Sequence, residues 1–269
     1  MSWDVIDSWQ KELDEMNKGK EGKKFVYPES FMNALSYARV YFGLPFRQTQ
    51  GMVKSHAKHI PDVPDYSTIQ RRVNKLHVKI NQKVGDDVVI AIDSTGIKVA
   101  NRGEWMRQKW NMRRGFLKIH VAADVKTKKI LSLKITDERS HDAQHLPSLV
   151  EQAEKNGNRI VKVLADGAYD SKDNFSYCYY DKEILPAIKV RKTSSIHTDC
   201  YPRRKSVLAQ MYNLDLWKIS VRYGDRWIVE SVFSSFKRFF GEHVMAHKYS
   251  NMVKELELKV ALYNLFASV

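Results

Sequence analysis

Two short apolar runs, each stopped by an aspartate, constrain this chain more than any other feature. VVIAI, from Val88 to Ile92, leads into Asp93, and RIVKVLA, from Arg159 to Ala165, leads into Asp166. Apolar runs of this length suit strands buried on both faces. LKIHVAADV and KKILSLKIT, joined by a short turn, are two further strand candidates. DAQHLPSLVEQAEK has helical spacing, and ILPAIKV reads as a fifth strand. Strands first, then helix and strand in alternation, predict an α/β fold with a mixed sheet and helices packed on it. In an open sheet the chemistry gathers at the carboxyl ends of neighbouring strands. If the two apolar strands are adjacent and parallel, Asp93 and Asp166 stand side by side. Two bare carboxylates that close repel, and one takes up a proton unless a cation binds both. Their hard oxygen donors select Mg2+ or Mn2+ over softer metals. Without a third ligand, the two aspartates fit strand-end caps or turn formers equally well.

The third candidate ligand lies in YGDRWIVESVFSSFKRFFG. Tyr223, Arg226, Glu230 and Lys237 follow one another at gaps of three, four and seven residues. On an α-helix, at about 100° per residue, these gaps keep all four on one narrow face. Such a stripe suits a metal and a phosphodiester. Glu230 would be the ligand, Arg226 and Lys237 would meet phosphate oxygens, and Tyr223 would bond a phosphate or pack on a base. The plainer alternative is a solvated face with an Arg226–Glu230 pair worth about 0.3–0.5 kcal/mol. Val232, Phe236 and Phe239 are expected to anchor the other side in the core.

Upstream, residues 1–27 read as a polar leading helix and a lysine-rich link, 28–84 as a helical region, and 85–269 as the catalytic domain. Pro28 opens a helix carrying Phe31, Leu35 and Ala38, and Gly43 and Pro45 end it. A second helix is expected from Phe46 to His59. PDVPDY then makes a rigid turn, and Ser67 is expected to cap a third helix. Three short helices with a basic last one fit a helix-turn-helix-like unit. Gln70, Arg71 and Arg72 would then lie near the start of the helix that approaches DNA. A plain bundle with its arginines in water fits equally. The tail from Asn251 to Phe266 carries Val253, Leu256, Val260, Leu262 and Leu265 and is expected to be buried.

A net charge of +14 points to a polyanionic partner, most often nucleic acid. Lys98, Arg102, Arg107, Lys109, Arg113, Arg114 and Lys118 cluster after the first aspartate, against the single acid Glu104. Trp105 and Trp110 interleave them, as DNA backbone contacts and base stacking would require. A solvated loop with inward-packed tryptophans is the alternative. No apolar run approaches the roughly 18 residues of a membrane span, and the start lacks signal-peptide form. Cys178 and Cys200 have neither disulfide-like nor zinc-like spacing and read as ordinary small side chains in a reducing, intracellular compartment. His120, His141 and His145 fall outside the carboxylate set and read as structural or surface residues.

The spacing Tyr-x2-Arg-x3-Glu-x6-Lys, with AIDSTG around Asp93 and LADGAYD around Asp166, resembles the DDE transposases of bacterial and archaeal insertion sequences. The specific likeness is to the group named after insertion sequence five. YFGLPFRQTQGMV with PDYSTIQRRV, GFLKIHVAADV and ILPAIKVRK extend it over nearly the whole chain. The basic stretch KVRKTSSIHTDCYPRR is irregular and departs from the pattern.

The resemblance implies a ribonuclease-H-like, retroviral-integrase-like core with a mixed five-stranded sheet, behind a small helical N-terminal domain. It implies that Asp93, Asp166 and Glu230 hold two Mg2+ or Mn2+ ions. It further implies cleavage at inverted terminal repeats, joining of 3′ ends to target DNA, a homodimer on DNA and a cytoplasmic, nucleoid-associated location. No covalent protein–DNA intermediate and no small-molecule cofactor are needed. Tyr169 lacks the Arg-His-Arg surroundings of a tyrosine nucleophile. A nuclease that cuts without joining, and a retained DNA-binding protein derived from a transposase, are the alternatives. The intact carboxylate set argues against a pure binder.

Overall fold

The computed structural model describes residues 4–80, 83–99, 116–137 and 140–268. The chain forms two compact units, Met1–Val78 with Lys248–Leu262, and Lys79–His247 with Tyr263–Val269. The boundary between these units lies at 78/79, and a stretch near the C-terminus joins the first unit. Local periodicity shows that a helix is apolar, but not which unit takes its apolar side.

The first unit contains α1 (Asp4–Asp7), α2 (Trp9–Asn17), α3 (Glu29–Phe42), α4 (Phe46–Ser55) and α5 (Tyr66–Val73). Pro28 precedes α3, and Gly43, at φ 62°, ends it in the left-handed conformation that glycine adopts without strain. Phe31, Met32, Leu35 and Val40 of α3 are buried. Phe31 meets the Trp9 ring at 4.8 Å between centroids. The second helix stops at Ser55, short of the expected His59. The cap of α5 is Asp65, not Ser67: its carboxylate accepts from the Ser67 N–H at 2.8 Å. An anion at the positive end of a helix outcompetes a hydroxyl there.

The second unit is built on a sheet of β1 (Val88–Val99), β2 (Phe116–Asp124), β3 (Ile130–Asp137), β4 (Ile160–Ala165), β5 (Leu185–Ile188) and β6 (His243–Val244). Its helices are α6 (Leu146–Glu154), α7 (Lys172–Ser176), α8 (Tyr201–Tyr212), α9 (Leu214–Val221) and α10 (Trp227–Phe240). The last helix, α11 (Tyr249–Phe266), supplies residues to both units. The strand order is β3-β2-β1-β4-β5. β1, β2 and β3 are antiparallel in turn, while β4 runs parallel to β1 and β5 parallel to β4. This is the ribonuclease-H-like arrangement. The short β6, beside Lys98 and Val99, adds a sixth strand to the expected five. Two residues are too few for any alternation to show.

Val88, Ile90 and Ile92 point to one face of the sheet, where Leu146, Leu149, Val150 and Ala153 of α6 complete a core with Val163 and Ala165. Alternation sends Ala91 and Asp93 to the other face, against which α10 packs. Buried amides close both sheet edges. Asn264 accepts from the Ile130 N–H and donates to its carbonyl, each at 2.8 Å. Gln210 does the same for Val190 and Ile188, each at 3.0 Å. In α10, Val232, Phe233, Phe236 and Phe240 are buried, but Phe239 is 42% exposed, contrary to the sequence expectation. The buried stripe runs Val232, Phe236, Phe240 at a spacing of four, which puts Phe239 on its rim. In α11, Leu256, Val260 and Leu262 are buried as expected, while Leu265 is exposed. Cys178 and Cys200 are free and buried, and burial pushes the Cys178 thiol up to about 12.

Candidate active site

The parallel register of β1 and β4 pairs Ile92 with Ala165. The next residue on each strand, Asp93 and Asp166, therefore comes to the same carboxyl edge. Asp93 Oδ1 accepts from the Ser94 N–H at 2.8 Å. Asp166 Oδ1 accepts from the Ala168 N–H at 2.9 Å and caps the 3-10 turn Gly167–Tyr169. Burial pushes the Asp93 carboxyl above its ordinary range; the Asp166 charge adds to this, and the Ser94 N–H and Arg226 oppose it.

The polar stripe is not one continuous α-helix. Tyr223–Arg226 is a 3-10 turn, and α10 starts at Trp227. Arg222, at φ 55°, swings the chain into that turn. As a result, the Tyr223 hydroxyl donates to the Ala165 carbonyl at 3.2 Å. Arg226 Nη1 donates to Asp93 Oδ2 at 3.1 Å, and its other arm donates to Glu230. Burial works against the Arg226 charge, but Tyr223, Asp93 and Glu230 outweigh it and raise its pKa. Burial likewise pushes the Tyr223 hydroxyl up to about 12. Strand ends and helix start thus bring two aspartates, an arginine and a glutamate to one edge of one sheet.

Two family models, each described as Transposase DDE domain, match residues 84–265 and 1–102. The first spans more than half of the chain. The chain belongs to the DDE transposases. A solved structure described as the Drosophila P element transposase strand transfer complex is similar at 11% identity, with a TM-score of 0.40, over 97% of this chain and 69% of that one.

Among the described residues of this DDE transposase, no three His, Cys, Asp or Glu side chains are already gathered as a metal-binding group. Arg226 bridges Asp93 and Glu230. The donor set nevertheless fits a hard divalent cation. Asp93 and Asp166 each have one oxygen taken by a backbone N–H, while Arg226 holds the other Asp93 oxygen and one of Glu230, whose side chain is 57% exposed, so a cation would displace that arginine.

The other expected site residues are placed less centrally. Lys237 sits in the last turn of α10, outside the Asp93–Arg226–Glu230 contacts. Arg71 and Arg72 lie in the last turn of α5, with Gln70 just before them, not near its start. Cations at that end complement the helix dipole, which is itself a structural reason for them. Gln70 and Arg71 are exposed, whereas Arg72 is half-buried over the Phe25 ring at 4.8 Å. Arg102, Arg107, Lys109, Arg113 and Arg114, with Trp105 and Trp110, lie outside the described residues.

His120 is fully buried, with Nε2 at 2.9 Å from Thr136 Oγ1 and Nδ1 at 3.2 Å from Asp142. It lies on the α6 face of the sheet, because β2 sets it opposite Ser94, which alternation turns away from Asp93. Sequence reasoning missed Asp142, which pairs with Lys118 at 2.7 Å, and Asp170, which pairs with Arg203 at 2.7 Å. Only the second left a trace, as the last residue of DGAYD.

Proposed function

We propose that this transposase cuts DNA at the inverted terminal repeats of an insertion sequence and joins the freed 3′ ends to target DNA. Asp93, Asp166 and Glu230 would hold two Mg2+ or Mn2+ ions. The observation that carries this is the register that sets Asp93 beside Asp166, with Arg226 and Glu230 facing them. Bound divalent ions would cancel the carboxylate repulsion, acidify the attacking water or 3′-hydroxyl and stabilise the leaving oxygen.

The chain's own groups supply the rest. Arg226 orients Asp93, and its planar fork suits a non-bridging phosphate oxygen once Glu230 turns away. Tyr223, tied to the Ala165 carbonyl, fixes the turn that aims Arg226. Lys237 lies about 10 Å further along the helix axis, within reach of a neighbouring phosphate. Gln70 and Arg71 are exposed for DNA contact in the N-terminal unit, with Arg72 behind them, and the basic segment Arg102 to Arg114 is assigned to DNA as well. The four-residue spacing supports assigning the chain to the group named after insertion sequence five. Pairing of two element ends calls for a homodimer on DNA. None of the described helices is long and apolar enough to cross a membrane.

The test is cleavage of a labelled duplex carrying an element end, in Mg2+ and in Mn2+, with wild type and Glu230→Gln. Metal-dependent nicking at the end by wild type alone is expected. Equal nicking by Glu230→Gln would remove Glu230 from the reaction.

A further inference from the structure

Beside the Asp166 turn lies a cavity of about 470 Å3, lined by Lys118, Ser140, Asp142, Gln144, Ala168 and Arg191 among others. Ala168 is the residue whose N–H holds Asp166 Oδ1 at 2.9 Å, so the cavity wall and the carboxylate share one short turn. Among the described residues, the lining holds no Phe, Tyr or Trp. It therefore suits a phosphate and sugar better than a stacked base.

Its charge balance is simple. Lys118 and Asp142 are paired at 2.7 Å and largely cancel. Among the described lining residues, the surplus positive charge is that of Arg191. That residue lies just after β5, where ILPAIKVRK runs into the irregular basic stretch. Its Nε donates to the Gly167 carbonyl at 2.9 Å, and its backbone N–H donates to Asp170 Oδ2 at 3.1 Å. Asp170, with only 1% of its side chain exposed, also binds Arg203 at 2.7 and 3.1 Å and the Ser194 hydroxyl at 2.6 Å. Arg203 in turn donates to Ser194 at 3.0 Å. One buried carboxylate thus locks the basic stretch onto the turn that carries Asp166. A guanidinium anchored through Nε keeps its two Nη groups for a ligand, with little rotamer freedom left to lose on binding.

We propose that Arg191 binds a phosphodiester of the DNA strand adjacent to the reacting phosphate, in this cavity, with Asp170 as its positioning residue. The proposal rests on the reading of Asp166 as a reaction-centre residue. It adds a phosphate site at Asp166 to the one that Arg226 offers at Asp93.

The experiment is the salt dependence of affinity for a short duplex of the element end, from about 50 to 200 mM monovalent salt. Arg191→Gln is expected to reduce the slope of log K against log salt by about 0.9, the value for one lost phosphate contact on duplex DNA. Arg191→Lys, which keeps the charge, should retain most of the slope. Asp170→Asn, with Arg191 still present, should also lower the slope; thermal melting checks that it folds, and exposed Arg191 provides the independent arm if it does not. An unchanged slope in Arg191→Gln overturns the proposal, even if the wild type cuts DNA normally. A lowered slope in a protein that cuts with neither metal would leave the phosphate site standing and remove the transposase chemistry instead.

Discussion

Asp93 carries the sharpest residue-level consequence. Its folded pKa lies above its unfolded value, so ionising it costs stability as pH rises through that window. At neutral pH without divalent ions, Asp93→Asn should therefore melt at a higher temperature than wild type; with Mg2+ or Mn2+ present it should show no cleavage. A lower melting temperature would mean that the Arg226 pair outweighs burial and the Asp166 charge. Asp170 behaves in the opposite way. Burial raises its pKa, but Arg203, Ser194 and the Arg191 N–H outweigh that and hold it below the ordinary range. Its contribution is present above the unfolded value near 3.9 and is lost as pH falls through the folded one. Denaturation midpoints measured from pH 6 down to 3 should fall more steeply for wild type than for Asp170→Asn. At neutral pH, the same substitution should cost about 3–5 kcal/mol, because Arg203 is left buried without its carboxylate. The aspartates at the strand ends were legible because an apolar run stopped by a charge is visible locally. Asp142 and Lys118 were not, since their pairing needs the β2 register and the start of α6 together.

At the scale of elements, the strands were readable and the edges were not. VVIAI and RIVKVLA declare buried strands by composition alone. That β3 and β5 would be closed by Asn264 and Gln210 depends on residues far away in sequence. Asn264→Ala leaves the Ile130 N–H and carbonyl without partners in a buried setting. A loss of about 2–4 kcal/mol in urea denaturation is expected. A cost below about 0.5 kcal/mol would mean that the edge is satisfied in another way. The stripe in α10 was half readable. Its spacing correctly grouped Arg226 with Glu230, but a helical wheel assumes one continuous α-helix. The left-handed Arg222 and the 3-10 turn after it redirect Tyr223 to the end of β4. The wheel also misjudged Phe239. Phe236→Ala should cost about 3–5 kcal/mol, and the exposed Phe239→Ala much less.

For the whole molecule, the +14 charge gave the partner class before any fold was known. The order of strands and helices gave the sheet. The division into units was not legible, because α11 contributes to both and its periodicity is the same in either setting. The net charge and the family agree on DNA as partner, and what most needs testing is whether this carboxylate edge cuts and joins DNA. That calls for a strand-transfer assay. Labelled DNA with pre-cleaved element ends, a plasmid target and Mg2+ or Mn2+ would be mixed with wild type, Asp166→Asn or Glu230→Gln. Joined product from wild type and none from either variant, with DNA binding kept in all three, is the expected result. Joining by a variant, or binding by wild type with no joining under both metals, would contradict it.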